Sequence, residues 1–274
     1  MFKKIIIFAF FVSVLFGCSK YYQFDDLYNN GEYIEAYQIL QAIEEKDHSE
    51  YYKREFQVVT RLAVSGDPDF ISRLSNIVER EYPEAVFPFL NFARTFLIFY
   101  SSDSQDDYMT VVSNFSEDGA FPDEFKGYAY QIKGISLYKT GFYEIAISEL
   151  EKSYRINSYI DNLFFIAMSH FGMGENDEAV RYFDRIIRNS MDNLLTAQSH
   201  FQKGEILYAD GKIEEAYSEY INAANNFCNS ANYSFKVGKA LQRLGYRNLS
   251  PRFFRISLRI DGDFADAWFH LNIN

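Results

Sequence analysis

Apolar residues recur along most of the chain at intervals of three and four, as in AYQIKGISLYKT and YEIAISELEKSY. That spacing predicts amphipathic helices. Glycines punctuate the pattern at Gly31, Gly66, Gly141, Gly174, Gly211 and Gly245, at intervals of 35, 75, 33, 37 and 34 residues. The long interval reads as two units with one glycine missing. Five residues after most of these glycines stands a small residue (Ala36, Ala146, Ala179, Ala216, Ser250), and four further on a bulky one (Leu40, Leu150, Phe183, Tyr220, Phe254). Seven residues before the later glycines lies another small residue: Gly134, Ala167, Gly204 or Gly238. A fixed period of this length marks a repeat architecture. Each unit predicts two helices joined by a turn in which glycine takes a positive φ and ends the first helix. The small residues let the paired helices approach closely. One hairpin leaves a face uncovered, and a stacked neighbour buries it.

At these residues the sequence resembles the tetratricopeptide repeat family. The best-matched unit runs from Tyr128 to Ser158 and contains Gly134, Leu137, Tyr138, Gly141, Tyr143, Ala146 and Leu150; the units around Gly174, Gly211 and Gly245 follow, and NNGEYIEAYQIL also fits. Two units depart from the pattern. In the second, Ile71 and Ser75 replace the small and bulky residues, although Pro83 falls where a terminating proline is usual. In the third, SSDSQDD replaces the turn glycine after FLNFARTFLIFY. The resemblance implies an all-α solenoid of about seven helix pairs, with DFADAWFHLNIN as a C-terminal capping helix. Loop signals at 101–107 and 116–123 allow a division into divergent N-terminal repeats over 18–120 and regular repeats over 121–274, with one continuous solenoid equally acceptable.

The N-terminus has a different character. Lys3 and Lys4 precede an apolar run from Ile5 to Phe16, followed by Gly17 and Cys18. A positive start, a short greasy centre and a small residue at the cut are the layout of a secretory signal. The run is shorter than the ~20 residues needed to span a bilayer. Leu15 to Cys18 resemble a bacterial lipobox, which implies removal of residues 1–17, acylation of Cys18 and a membrane-anchored lipoprotein outside the cytoplasm, the outer membrane favoured over the inner.

Composition narrows the partners. The 274 residues carry 38 acidic against 27 basic side chains, a net charge of -11, so a phosphate-binding surface for nucleic acid is not expected. Cys18 and Cys228 cannot build a disulfide framework, and His48, His170, His200 and His270 show no metal-ligand spacing. No phosphate loop, dinucleotide turn, nucleophile elbow or HExxH occurs. Neither an enzyme nor a cofactor or metal is therefore expected. The Asp103, Asp106, Asp107 and Asp261, Asp263, Asp266 groups lack the spacing of a calcium loop.

In the family the first helices of successive units line the concave face. The resemblance places Tyr128, Gln131, Tyr138, Phe164, Phe171, Phe201, Tyr208 and Phe235 along it, an aromatic groove for a peptide or helix of another envelope protein. Aromatics at helical spacing also serve as core. The function expected is a membrane-tethered, non-catalytic interaction scaffold. The alternatives are a lipoprotein of an outer-membrane protein assembly complex or a ligand-binding partner of an envelope transporter.

Overall fold

The computed structural model describes residues 21–43, 48–115, 121–227 and 230–272. Residues 1–17, expected to be a signal segment, together with Cys18 and Cys228 lie outside the described residues. Among those described there are fifteen α-helices and no strand. The chain divides into two compact units, 1–126 and 127–274.

The first unit contains α1 (Tyr22–Asn29), α2 (Tyr33–Gln41), α3 (His48–Val64), α4 (Pro68–Ile77), α5 (Phe87–Ser101) and α6 (Gln105–Asn114). Gly31 and Gly66 close the first two hairpins with φ of 82° and 88°. The second hairpin solves its crossing differently from the regular repeats. Val59 stands where later first helices have glycine or alanine, and α4 buries Leu74 and Ile77, with Val78 just after it, instead of the expected positions Ile71 and Ser75. The third hairpin turns without glycine. Ser104 N-caps α6, its Oγ accepting from the Asp107 amide at 3.2 Å and donating to the Asp107 carboxylate at 2.7 Å. That hydroxyl holds the Asp107 carboxyl below its ordinary value.

The segment after α6 is tied back to the same unit. Phe125 is fully buried and stacks on Phe92 of α5 at 4.8 Å. Beside it the Glu124 carboxylate accepts from Tyr28 Oη at 2.6 Å and from Gln57 Nε2 at 2.7 Å, and Arg61 donates to the Glu124 carbonyl at 3.2 Å. Burial, followed by the Glu124 charge, pushes the Tyr28 phenol up from its usual value.

The second unit contains α7 (Lys126–Lys139, counted from Gly127), α8 (Tyr143–Asn157), α9 (Ile160–Gly172), α10 (Asn176–Asn189), α11 (Asn193–Ala209), α12 (Ile213–Asn226), α13 (Ala231–Arg243), α14 (Ser250–Ile260) and α15 (Ala265–Asn272). Each turn has the same chemistry. At Gly141, φ is 86°, the Gly141 amide donates to the Tyr138 carbonyl and the Phe142 amide to the Leu137 carbonyl, which helps satisfy the last carbonyls of α7. The small positions are where paired helices touch. A Cβ added to Gly134 would stand 2.6 Å from Leu150 Cγ, one on Gly204 2.6 Å from Tyr220 Cε1, and one on Gly238 2.5 Å from Phe254 Cε1. Helix α15 closes the stack through Ala267 and Leu271, with Phe264 just before it, packed on Phe235 and Phe254. Seven hairpins and a terminal helix result, as the repeat pattern implies.

Candidate partner-binding face

In the second unit the first helices α7, α9, α11 and α13 repeat one spacing of i, i+4 and i+7, which holds three side chains on one helix face. The triplets are Gln131, Ile135, Tyr138; Phe164, Met168, Phe171; Phe201, Glu205, Tyr208; and Phe235, Lys239, Gln242. Neighbouring first helices touch through these faces. The Tyr138 and Phe165 rings lie 5.7 Å apart, and Phe201 stacks on Tyr233 at 4.9 Å.

The α7–α9 part is apolar. Ile135, Tyr138, Phe164, Phe165, Met168 and Phe171 are half-buried, and all but Tyr138 pack on the core formed by Leu150, Leu163, Ile166 and Phe183. Burial, with Tyr143 beside it, pushes the Tyr138 phenol up and keeps it neutral. Tyr128 is also half-buried, and Tyr159 at the start of α9 donates to its hydroxyl at 2.6 Å. Gln131 is half-buried beside it.

The α11–α13 part is crossed by charge. Glu205 accepts from Lys236 at 2.7 Å and from the Tyr220 hydroxyl at 2.5 Å, while Lys236 Nζ stands 5.9 Å from the Phe201 ring centre. Arg243 lies 4.5 Å over the half-buried Tyr208 ring. Phe201 and Phe235 are 9% and 6% exposed. Tyr220 and Tyr233 cover the first; Phe254, Phe264 and His270 cover the second. Both belong to the core, so of the eight residues expected in the groove these two are unavailable to a partner. The sequence reading also passed over Ile135, Phe165 and Met168. The i+4 spacing already marks Ile135 and Met168, whereas Phe165 shows itself only through its contact with Tyr138.

Where the two parts meet, a polar cluster lines an open cleft between α10, α11 and α12. Lys203 donates to Asp184 at 2.8 Å and pairs with Glu219 at 2.9 Å, and His200 Nδ1 lies 2.6 Å from the other Glu219 oxygen. Burial alone would raise the Glu219 carboxyl, but hydrogen bonds from His200 and Lys203 outweigh it and hold the group below its ordinary value. Among the described residues no three His, Cys, Asp or Glu side chains converge as a metal set.

No protein-family model matches this sequence, and no curated protein matches it. Solved structures do. The apo form of RapI is similar with a TM-score of 0.60 at 15% identity, over 90% of this chain and 77% of RapI. The fold is a tetratricopeptide-like array of helical hairpins. MamA from Desulfovibrio magneticus RS-1, residues 41 to its end, matches 64% of this chain and 97% of its own length, with a TM-score of 0.51 at 11% identity. A further MamA crystal structure has a TM-score of 0.50 at 15% identity, over 59% of this chain and 92% of that one. At such identities the tetratricopeptide likeness is one of architecture, and function rests on the faces described above.

Proposed function

We propose that this protein is a membrane-tethered, non-catalytic interaction scaffold that captures a peptide or helix of another envelope protein on the α7–α9 face. The observation that carries the reading is the run of half-buried apolar side chains from Ile135 and Tyr138 to Met168 and Phe171, which an apolar segment would cover. Tyr and Phe offer large contact area there at small entropic cost. Capture is tested with the variant Tyr138→Ser/Phe171→Ser, both on the α7–α9 face, by crosslinking from the native membrane. The expected outcome is loss of the crosslinked partner from a chain that keeps its helical content and melts cooperatively at a moderately lower temperature. Retained capture, or collapse of the fold, would overturn it.

The tether is the acylated Cys18 thiol, supported by the Leu15–Cys18 motif after a short apolar run. No helix among the described residues is long and apolar enough to cross a membrane. Mass spectrometry of the mature protein should find lipid on Cys18 and none of residues 1–17. An unmodified cysteine behind a retained Met1 segment would end this part of the reading.

A further inference from the structure

Charge is segregated along this acidic chain. From Ala231 to Ile260 there are seven basic residues, Lys236, Lys239, Arg243, Arg247, Arg252, Arg255 and Arg259, and no aspartate or glutamate. Three of them are engaged: Lys236 with Glu205, Lys239 beside His270 Nε2 at 3.4 Å, and Arg243 over the Tyr208 ring. The other four are exposed, and none of them makes an ion pair among the described residues. Arg252, Arg255 and Arg259 stand at i, i+3 and i+7 on α14, one helix face spanning about 10 Å.

The helix dipole does not explain this placement. It favours Arg259 in the last turn but opposes Arg252, which sits in the first. Nor does packing explain it, because α14 already buries Ser250, Phe254 and Ser257. What faces outward is a row of guanidinium groups with exposed Tyr246 and Leu249 before it and Ile260 after it. Between α14 and α15 runs an open cleft of about 390 Å³ lined by Arg255, Arg259, Leu258 and Leu271. Two guanidiniums beside two leucines match an anion that carries hydrocarbon. A purely acidic peptide would use the arginines and leave the leucines idle. Guanidinium also suits phosphate oxygens, which it can bind bidentately.

We propose that the outward face of α14 docks on an anionic phospholipid surface, with Arg252, Arg255 and Arg259 on the headgroup phosphates and Leu258, Ile260 and Leu271 at the edge of the acyl region. The lipid at Cys18 would fix the chain to a membrane; this face would fix which side of the C-terminal repeats lies against it. Stable peripheral binding generally combines two such signals.

The test uses the full chain carrying Cys18→Ser, so that it is unacylated, in cosedimentation with vesicles of phosphatidylcholine alone or of equal parts phosphatidylcholine and phosphatidylglycerol. Neutral vesicles read any affinity of the apolar N-terminal segment. The excess binding on anionic vesicles reads charge, and it should shrink with salt as the screening length falls from ~10 Å at 0.1 M to ~3 Å at 1 M. Each arginine near such a surface is worth about fivefold in binding, so Arg252→Gln/Arg255→Gln/Arg259→Gln should lose about a hundredfold. The control Arg155→Gln/Arg181→Gln/Arg188→Gln removes the same charge from α8 and α10 and should keep the excess. Equal binding to both vesicles, equal loss in the control, or capture of polyglutamate in place of vesicles would each overturn the proposal. No partner protein and no acyl chain take part, so failure here leaves the capture reading of the α7–α9 face standing, and failure there leaves this one.

Discussion

In α7 and α9 the residue in the middle of the inner-face triplet is Ile135 or Met168; in α11 and α13 it is Glu205 or Lys239. The backbone and spacing are the same in all four helices, yet the first pair presents an apolar face and the second is crossed by ions. Glu205 draws Lys236 across from the next first helix and takes the hydroxyl of Tyr220, while Phe201 lies against both Tyr220 and Tyr233. The middle position therefore decides whether ions cross the face, while rings from α12 and α13 bury Phe201. Repeat architecture makes this possible, because each first helix meets mainly its neighbours.

The sharpest way to break the contrast is truncation on each side of it. Phe235→Ala removes a ring enclosed by Phe254, Phe264 and His270, and cavity formation of this kind costs about 3–5 kcal/mol. Tyr138→Ala removes a ring that is half-exposed and should cost well under half of that. Urea midpoints for the two variants check the pair. Equal losses would mean that the α7–α9 rings are as structural as those of α13.

A second comparison should show no difference between the parts. Gly134→Leu and Gly204→Leu each force a side chain into the crossing of a hairpin, against Leu150 or Tyr220, and overpacking costs about 1–3 kcal/mol. Both should destabilise alike, since the crossing lies between paired helices and not on the inner face. Glu151→Leu, at a half-exposed position on α8, should leave the melting curve nearly unchanged.

The hairpins were legible because their requirements are local. A left-handed turn demands glycine, and a close crossing demands a small residue a fixed number of positions away, so Gly141, Gly134 and Ala146 announce themselves in the sequence. The third turn uses other chemistry: SSDSQDD marks only a loop in the sequence, and the structure shows Ser104 capping α6 and pairing with Asp107. The inner face was only half legible. Phe164 and Phe201 occupy the same repeat position, and nothing within their own helices separates them. What buries Phe201 is Tyr220, nineteen residues later on α12, and Tyr233 on α13. Likewise Phe125 is core because it meets Phe92 of α5, more than thirty residues earlier.

Removing the ions should move α11 toward the character of α9. The Lys236–Glu205 pair is about a third exposed on each side, so a double-mutant cycle should give a coupling of about 1 kcal/mol or less. Glu205→Met/Lys236→Met, which removes both charges, should change stability little and lengthen the apolar face along α11. With the partner of the α7–α9 face in hand, capture should be retained or tightened. A loss of capture would show that the ion pair itself takes part in recognition.

The smallest expected effect lies at the border of the two parts, where Glu219 is held by His200 and Lys203. Its folded value is depressed below the ordinary 4.5, so the stability it contributes is complete above that pH and disappears as pH falls through the folded value. Glu219→Gln deletes the charge without changing the shape. Wild type and variant should therefore differ, by under about 1 kcal/mol, above the ordinary carboxyl value, and converge as the pH is lowered through the folded value of Glu219. Lys203 does not disturb this comparison: its folded value is raised above 10.5 by Asp184 and Glu219, which outweigh burial, so its charge is constant throughout that window. Thermal melts of the two proteins across the series give the curve directly. A difference that persists unchanged below the folded value of Glu219 would assign the stability to packing of the Glu219 stem, and the border between the apolar and the ionic halves would then be set by Glu205 and Lys236 alone.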